Sequence, residues 1–184
     1  IAKILSAFYR VPFENIVGNT GFYVYQQVYP LYGIGMTFAL SGFPVFISKL
    51  IAEQEGQLAK VNLARRLFVI LSFFAGGIFI FLQLTSRLIA NSMGDGQLEL
   101  LIKSVSFMFL FMPLLAVGRG YYQGTFNVVP TAISQVSEQL VRVAVILLAA
   151  YLFTKRGWTY YEMGAWAMAG ATIGALCASL SFSK

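Results

Sequence analysis

LFVILSFFAGGIFIFLQL, residues 67–84, is the stretch of sequence that decides the fold class, because it carries no charged side chain. Its length is close to the roughly 20 residues that a helix needs to cross the hydrocarbon core of a bilayer. Backbone N–H and C=O groups in lipid must bond within their own segment, so an apolar stretch of this length is predicted to be a transmembrane helix.

Further apolar stretches flank this one on both sides. We predict membrane spans at about residues 1–13, 22–47, 67–84, 100–117, 128–153 and 160–182, the first of them incomplete. The ten-residue alternation of an outer-membrane barrel is not seen. The sequence therefore predicts an all-α integral membrane protein with one bundle of six transmembrane helices. Because the chain starts at Ile1 inside an apolar stretch, we expect both of its ends to be cuts in a longer protein.

The composition agrees with a membrane class and excludes several others. Hydrophobic residues make up 58% of the 184 residues and charged residues 11%, whereas soluble domains carry about a quarter charged residues. The net charge of +6 is scattered between apolar stretches, so no nucleic-acid partner is predicted. The chain has no histidine and one cysteine, Cys177, in an apolar stretch, where a packing role is favoured. No metal site, cofactor or internal disulfide is expected.

The polar connections give the predicted orientation. Residues 14–21, ENIVGNTG, are predicted to be a turn, and residues 48–66, 91–99 and 154–159 to be loops. The loop 48–66 has the densest cluster of basic residues, which is Lys49, Lys60, Arg65 and Arg66. Because cytoplasmic loops carry an excess of Lys and Arg, we expect this loop in the cytoplasm and the odd-numbered helices running outward.

Glu138 and Arg142 are the most informative charged residues, because both fall near the middle of the fifth predicted span. They are four residues apart, so they share a helix face and have the spacing of an ion pair. A charge at the centre of the bilayer costs at least about 2.5–3.5 kcal/mol, so both should face a protein interior or a watery cavity. Two interpretations stay open: a cavity wall that meets a polar substrate, or a structural pair that joins helices.

Arg10 and the second span supply further candidates. Arg10 lies beside a proline in YRVPFEN, where it would either coordinate a phosphate through its planar donors or extend to the membrane interface. Proline and glycine interrupt the second span at Pro30, Gly33, Gly35, Gly42 and Pro44. Interrupted helices often line substrate sites in transporters. Gln26 and its tyrosine neighbours in this span would line a cavity or form an interfacial belt. We expect Arg10, Glu138 and Arg142 to face one hydrated interior between the helices.

Two glycine-containing segments are the last features with a predicted role. Arg119 lies in GRGYYQG, where the glycines favour a sharp turn and the arginine would contact a phosphate or lie at the inner interface. The string lacks the lysine pattern of a P-loop. In the sixth span Gly164, Gly170, Gly174 and Ala178 form a small-residue face that predicts close helix packing and no catalysis.

Three strings carry a resemblance to a known family: FYRVPFENIVGNTGFYVYQQVYPLY, GFPVFISKLIAE and RGYYQGTFNVVPTAISQVSEQLVRV. They resemble the polysaccharide-biosynthesis and flippase branch of the multidrug/oligosaccharidyl-lipid/polysaccharide (MOP) exporter superfamily. Within it they are most similar to the Gram-positive group of MurJ-type lipid II flippases and stage V sporulation protein B-like proteins. The similarity runs from Arg10 to the sixth predicted helix.

The resemblance implies a transporter of 12–14 helices in two lobes, of which this chain would be the N-terminal lobe with the second lobe missing. It also implies a central cationic cavity that opens alternately to each side of the membrane. Arg10 in YRVP matches a first-helix arginine that faces the diphosphate of the substrate, and Lys49 in ISKLIAE lies where relatives carry basic residues. Arg119, Glu138 and Arg142 match the family strings without an assigned role.

On this basis the expected function is that of an alternating-access flippase for a lipid-linked oligosaccharide or a peptidoglycan precursor, with lipid II favoured. Its partners would be the bilayer of the cell membrane and the lipid-linked glycan, and a coupling ion is left open. The alternative is a cation-coupled multidrug antiporter of the MATE type, whose cavity should be rich in acidic residues. A membrane enzyme is disfavoured because the chain has no histidine and only one carboxylate deep in a span. A purely structural scaffold is also disfavoured.

Overall fold

The computed structural model describes the backbone of residues 2–182, and every regular element within that range is helical. The helices are α1 (Ala2–Phe8), α2 (Arg10–Thr37), α3 (Phe43–Ala52), α4 (Gln57–Ser92), α5 (Glu99–Gly124), α6 (Val129–Arg156) and α7 (Tyr160–Leu180). A π-helical turn, Phe38–Gly42, joins α2 to α3, and a short 3-10 helix, Gly96–Leu98, precedes α5. The predicted all-α membrane class is confirmed.

Four helices are long and apolar enough to cross a membrane: α4, the 3-10 helix with α5 (Gly96–Gly124), α6 and α7. The helix Phe43–Ala52 is apolar but shorter. The structure extends α4 beyond its predicted span, since α4 begins ten residues before residue 67 and ends at Ser92. The predicted loop 48–66 is wrong in extent, because only residues 53–56 separate α3 from α4. Leu63 and Ala64 pack against a buried cluster that includes Ile47 and Ile51 of α3, so the start of α4 has apolar contacts that an exposed loop would lack.

The chain reverses inside α2, at Gly18. The ring of Phe13 lies 6.1 Å from that of Phe22 and 5.1 Å from that of Tyr25, and the ring of Tyr9 lies 6.3 Å from that of Tyr25. These contacts require the segments on either side of Gly18 to run antiparallel. Gly18 has φ 73°, a backbone conformation that glycine adopts at little cost. The turn predicted over residues 14–21 is therefore reduced to a break at one residue.

The helix α5 lies at the centre of the bundle and α4 lies at its edge. In the most apolar window of each helix, 61% of the residues of α5 are buried but only 17% of those of α4. The buried side of α5, which includes Leu101, Val105 and Met108, contacts α2 and α7 in the main core. The exposed side of α4 presents phenylalanines such as Phe73 and Phe81, which is typical of a surface that faces lipid.

Glycines bring α6 and α7 together as the small-residue pattern predicted. A Cβ atom at Gly174 would lie 2.7 Å from the carbonyl oxygen of Glu138, and one at Gly170 would lie 3.1 Å from that of Arg142. These distances leave no room for a side chain. The helix α7 therefore covers the part of α6 that carries the two buried charges.

Side-chain hydrogen bonds join neighbouring helices at both ends of the bundle. Gln57 at the start of α4 donates to the hydroxyl of Tyr121 near the end of α5 over 2.6 Å. At the other end, the hydroxyl of Tyr161 donates to Asp95 in the connection before α5. The first bond lies on the side predicted to be cytoplasmic and the second on the side predicted to be outside. The orientation itself stays a prediction.

Candidate functional site

A polar pocket of about 300 Å³ lies between α1 and the two halves of α2. Its lining consists of Lys3, Ala7, Tyr9, Arg10, Phe22, Tyr25, Gln26 and Tyr29. We call it the Arg10 pocket. It brings together two residues that the sequence predicted as candidates, Arg10 and Gln26, because the reversal at Gly18 places the second half of α2 beside the first.

Two cations line the Arg10 pocket. Lys3 and Arg10 are seven residues apart, close to two helical turns, so they lie on the same side of this helical segment. The guanidinium carbon of Arg10 lies 5.0 Å from the centroid of the Phe22 ring, which is within the range of a cation–π contact. No carboxylate is among the described residues that line the pocket. The pocket therefore has the charge of an anion site.

Tyrosines form the inner wall of the pocket. The rings of Tyr9, Tyr25, Tyr29 and Tyr32 follow one another with centroid distances of 6.3, 6.4 and 5.5 Å. Tyr9, Tyr25 and Tyr29 face the pocket, whereas Tyr32 is buried behind them. Phenol groups donate and accept hydrogen bonds, so this wall suits a ligand rich in oxygen.

Arg142 of α6 lies behind this wall and is 1% exposed. Its guanidinium carbon lies 5.3 Å from the ring centroid of Tyr9 and 4.9 Å from that of Tyr32. Its Nε donates to the side-chain oxygen of Gln139 over 3.1 Å. Arg142 thus reaches the Arg10 pocket through the ring of Tyr9, and its positive charge adds to that of Lys3 and Arg10.

Arg119 and Glu138 form a second, closed polar group between α5 and α6. Arg119 Nη2 lies 2.5 Å from Glu138 Oε2, and its Nε and Nη2 donate to Ser134 Oγ over 3.2 and 3.1 Å. The hydroxyl of Thr131 donates to the backbone carbonyl of Arg119 over 3.3 Å. All four residues are 5% exposed or less. We call this group the Arg119 network.

The structure corrects three expectations about these residues. Glu138 forms its salt bridge with Arg119, and no bridge to Arg142 occurs among the described residues. Arg119 lies inside α5 and is buried, not in a turn or at an interface, and the glycines Gly120 and Gly124 serve a close approach of α3 to α5. Arg10, Glu138 and Arg142 were expected to face one hydrated interior. Only Arg10 lines the pocket, with Arg142 behind its tyrosines and Glu138 in the separate Arg119 network.

Lys49 lies apart from the Arg10 pocket. It is exposed near the end of α3, and it is not among the residues that line the pocket. The helices α1 and α2 form the pocket, while α3 begins only after the π turn. A role for Lys49 in the same cavity as Arg10 stays a prediction.

Several residues of these sites were missed from the sequence. Lys3 and Tyr9 were not singled out, although their spacings of seven and one residues from Arg10 were visible. Ser134 and Thr131 of the Arg119 network were also missed, because serine and threonine in an apolar span carry no signal without a partner. Thr131, Ser134 and Glu138 follow one another at intervals of three and four residues, so the sequence did indicate that they share one helix face.

The chemistry that the Arg10 pocket offers follows from the side chains that line it. No group of three or more His, Cys, Asp or Glu residues that could hold a metal ion occurs in the part of the chain that the structure describes. The carboxylate of Glu138 is already engaged by Arg119 and does not line the Arg10 pocket. What the pocket offers is two cations, an amide and phenol hydroxyls, a set that suits a phosphorylated and hydroxylated headgroup.

Three curated bacterial proteins are similar to this chain. The chain is 45% identical over 179 residues to the "Uncharacterized membrane protein YabM" of Bacillus subtilis (strain 168), a match that covers 97% of this chain and 33% of that protein. It is 30% identical over 170 residues to the lipid II flippase MurJ of the same organism, covering 84% of this chain and 31% of MurJ. Stage V sporulation protein B of that organism is 28% identical over 172 residues, a match that covers 90% of this chain and 33% of that protein.

The chain thus spans about a third of the length of the curated relatives that it matches. No solved structure gives a significant match. The family described as "Polysaccharide biosynthesis protein" matches residues 1–184. The resemblance found in the three sequence strings is confirmed. With its membrane-length helices and this match over its whole length, the chain is a multi-pass membrane protein that belongs to the polysaccharide biosynthesis protein family.

Proposed function

We propose that this chain is part of an alternating-access flippase that moves a lipid-linked oligosaccharide or peptidoglycan precursor, with lipid II favoured, across the cytoplasmic membrane. The observation that carries the proposal is the Arg10 pocket, which has two cations and no carboxylate in its described lining. The similarity to the lipid II flippase MurJ supports the substrate class. No covalent step and no cofactor are needed.

The substrate headgroup would be held by charge and by hydrogen bonds. A sugar diphosphate carries negative charge on several oxygens, and a guanidinium binds such oxygens with two parallel N–H donors. Arg10 and Lys3 would contact the diphosphate, while Gln26 and the tyrosine wall would bond to sugar hydroxyls. Arg142 would add to the positive potential from behind Tyr9. The polyprenyl tail would stay in the lipid, where it costs no desolvation.

Helix interruptions would let the pocket open to either side of the membrane. The backbone breaks at Gly18, and the π turn Phe38–Gly42 interrupts the path from α2 to α3. Pro30 and Pro113 lie inside α2 and α5, and each removes one backbone hydrogen bond. Discontinuous helices of this kind allow one part of a transporter to rock against another. The energy would come from an ion gradient or the membrane potential, and the coupling ion is left open.

Transport in reconstituted vesicles tests the proposal. The protein at its natural length is placed in liposomes that contain lipid II with a fluorescent group on its headgroup. A membrane-impermeant reductant then destroys the fluorescence of the outer leaflet. We expect the protected inner-leaflet fraction to become accessible with the protein and to stay protected in protein-free liposomes. Depletion of the protein in cells should likewise lower the amount of outward-facing lipid II.

The same liposomes separate the proposal from its alternative. A cation-coupled multidrug antiporter would move a cationic dye in response to an ion gradient and leave lipid II in place. The two cations of the Arg10 pocket disfavour a cationic substrate by like-charge repulsion. Dye transport without lipid II movement would show that the antiporter is the right function.

A further inference from the structure

An apolar groove of about 410 Å³ runs between α3 and α4, on helices that do not form the Arg10 pocket. Phe43 and Phe46 form the α3 side, Ile70 and Phe74 form the α4 side, and Met112 of α5 lies at the floor. Every residue of its lining is apolar. We call it the α3–α4 groove.

The groove is open toward the outside of the bundle. Its rim residues Phe46, Ile70 and Phe74 are 58%, 52% and 68% exposed, while Met112 at the floor is 3% exposed. Because α4 is a membrane-length helix with most of its surface uncovered, this opening faces the acyl chains of the bilayer. A chain of methylene groups that follows the groove would gain van der Waals contact along its whole length.

Each wall of the groove carries an exposed cation beyond the same end. Lys49 follows Phe46 by three residues on α3, and Arg66 precedes Ile70 by four residues on α4. Residues three or four apart lie on one helix face, so each cation continues the face that lines the groove. Lys49 lies two residues beyond Ile47 and Arg66 one residue before Leu67, so each cation lies roughly 3 Å or less along its helix axis from the apolar lining.

Lys49 lies three residues before the end of α3 and Arg66 nine residues after the start of α4, so each cation lies between the groove lining of its own helix and the connection 53–56. The segment 48–66 as a whole carries four cations and two carboxylates, so this end of the groove has an excess of positive charge. It is the end predicted to face the cytoplasm. Basic residues next to a membrane helix attract anionic lipid headgroups.

We propose that the α3–α4 groove binds one anionic phospholipid, with an acyl chain along the phenylalanines and the phosphate held between Lys49 and Arg66. An apolar groove that ends in two cations matches a molecule with an apolar chain and an anionic head. The bound lipid is a resident of the inner leaflet and not the transported molecule. The proposal does not depend on the flippase function, because the Arg10 pocket lies on α1 and α2.

A tryptophan placed in the groove tests this site. In the protein at its natural length, Trp158, Trp166 and any tryptophan outside this chain are changed to phenylalanine, and Phe74→Trp is introduced. The protein is reconstituted in phosphatidylcholine vesicles that contain increasing amounts of phosphatidylglycerol or phosphatidylcholine with brominated acyl chains. Bromine quenches tryptophan on contact. We expect half-maximal quenching at a roughly tenfold lower mole fraction of the brominated phosphatidylglycerol. Phe73→Trp is the control at the same depth on α4, because Phe73 lines a neighbouring apolar pocket but not the α3–α4 groove.

Charge variants complete the test. Lys49→Gln with Arg66→Gln should reduce the preference for phosphatidylglycerol to less than about twofold. Arg65→Gln should leave the preference in place, because Arg65 does not continue the groove face. Equal quenching by both lipids at Phe74→Trp, or a preference that survives the double variant, overturns the proposal. So does an equal preference at Phe73→Trp, which would indicate general enrichment of anionic lipid. Absence of any quenching at Phe74→Trp would show that protein covers the groove.

Discussion

Arg119 and Arg10 carry the same guanidinium group in two opposite surroundings. Arg119 is 0% exposed and meets Glu138 and Ser134 inside the bundle. Arg10 is exposed and lines a pocket together with Lys3, and no carboxylate is in the described lining of that pocket. The comparison teaches that charge inside a membrane protein does not by itself mark a functional site. The groups around a buried charge decide what that charge does. The carboxylate of Glu138 neutralises Arg119 and leaves it little capacity to bind a substrate anion.

The two regions also differ in what closes them. The helix α7 covers the Arg119 network, and Gly174 brings its backbone against the carbonyl of Glu138. The Arg10 pocket is closed on its inner side by tyrosine rings and is open elsewhere. Arg142 lies between the two regions, on the same helix as Glu138 and in contact with Tyr9. We therefore expect substitutions in the Arg119 network to change stability and substitutions in the Arg10 pocket to change transport.

The largest effect is expected from Glu138→Ala. Removal of the carboxylate leaves the charge of Arg119 uncompensated in the interior, which costs about 3–5 kcal/mol for a buried pair. Thermal unfolding of the purified variant in one detergent should show a large decrease in the midpoint temperature. The double variant Arg119→Met with Glu138→Leu should recover most of this loss, because it removes both charges. A single variant as stable as the wild type would show that the pair does not hold α5 to α6.

A smaller effect is expected where α7 closes over the network. In Gly174→Ala the new methyl group would lie 2.7 Å from the carbonyl oxygen of Glu138, so α7 must move away at a cost of about 1–3 kcal/mol. Gly77→Ala on α4 is the matched control, since a Cβ atom there meets nothing within 4 Å. Unfolding temperatures should separate the two variants. Equal temperatures would mean that the approach of α6 and α7 does not limit stability.

The smallest effect on stability, and the clearest effect on transport, is expected from Arg10→Gln. Loss of one charge-assisted contact to a diphosphate should lower the rate of lipid II movement in liposomes about tenfold. The free energy of unfolding should change by no more than about 0.5 kcal/mol, as expected of a surface substitution. The unfolding temperature should therefore stay close to that of the wild type. Arg10→Lys should keep part of the activity because it keeps the charge. Normal transport by Arg10→Gln would show that Arg10 does not bind the substrate. The contrast between Arg10 and Arg119 would then lose its functional meaning.

Much of the fold was predictable because hydropathy over about 20 residues depends on few details of packing. The residues at which individual helices begin and end were not predictable in the same way. Residues 14–21 contain turn-forming asparagines and glycines, yet Val17 is buried, so the helix continues to Gly18. The charges of residues 57–66 indicated a loop, but the segment is helical, and its Leu63 and Ala64 pack against a buried cluster formed with α3 and α5. In each case a tertiary contact outweighed the local signal.

The candidate site was predicted in part for a similar reason. The burial of Glu138 and Arg142 followed from their place in an apolar span. The partner of Glu138 did not, because the spacing of four residues reports neighbours on one helix, whereas Arg119 belongs to another helix, 19 residues away in sequence. Arg10 was recognised from its string, but Lys3 lies in the incomplete first span, where no helix face was assigned.

The π turn Phe38–Gly42 has a consequence for the long helical path from Asn19 to Ala52, which follows the reversal at Gly18. A turn closed by i→i+5 bonds holds one residue more than an α-turn, so everything after it is rotated by about 100° relative to an uninterrupted helix. The path can therefore direct Tyr25 and Tyr29 toward a wet pocket at one end and Phe43 and Phe46 toward lipid at the other. The extra residue of the π turn sets which side of α3 faces lipid independently of which side of α2 faces the pocket. Each helix can therefore keep its own polar or apolar side in the surroundings that suit it.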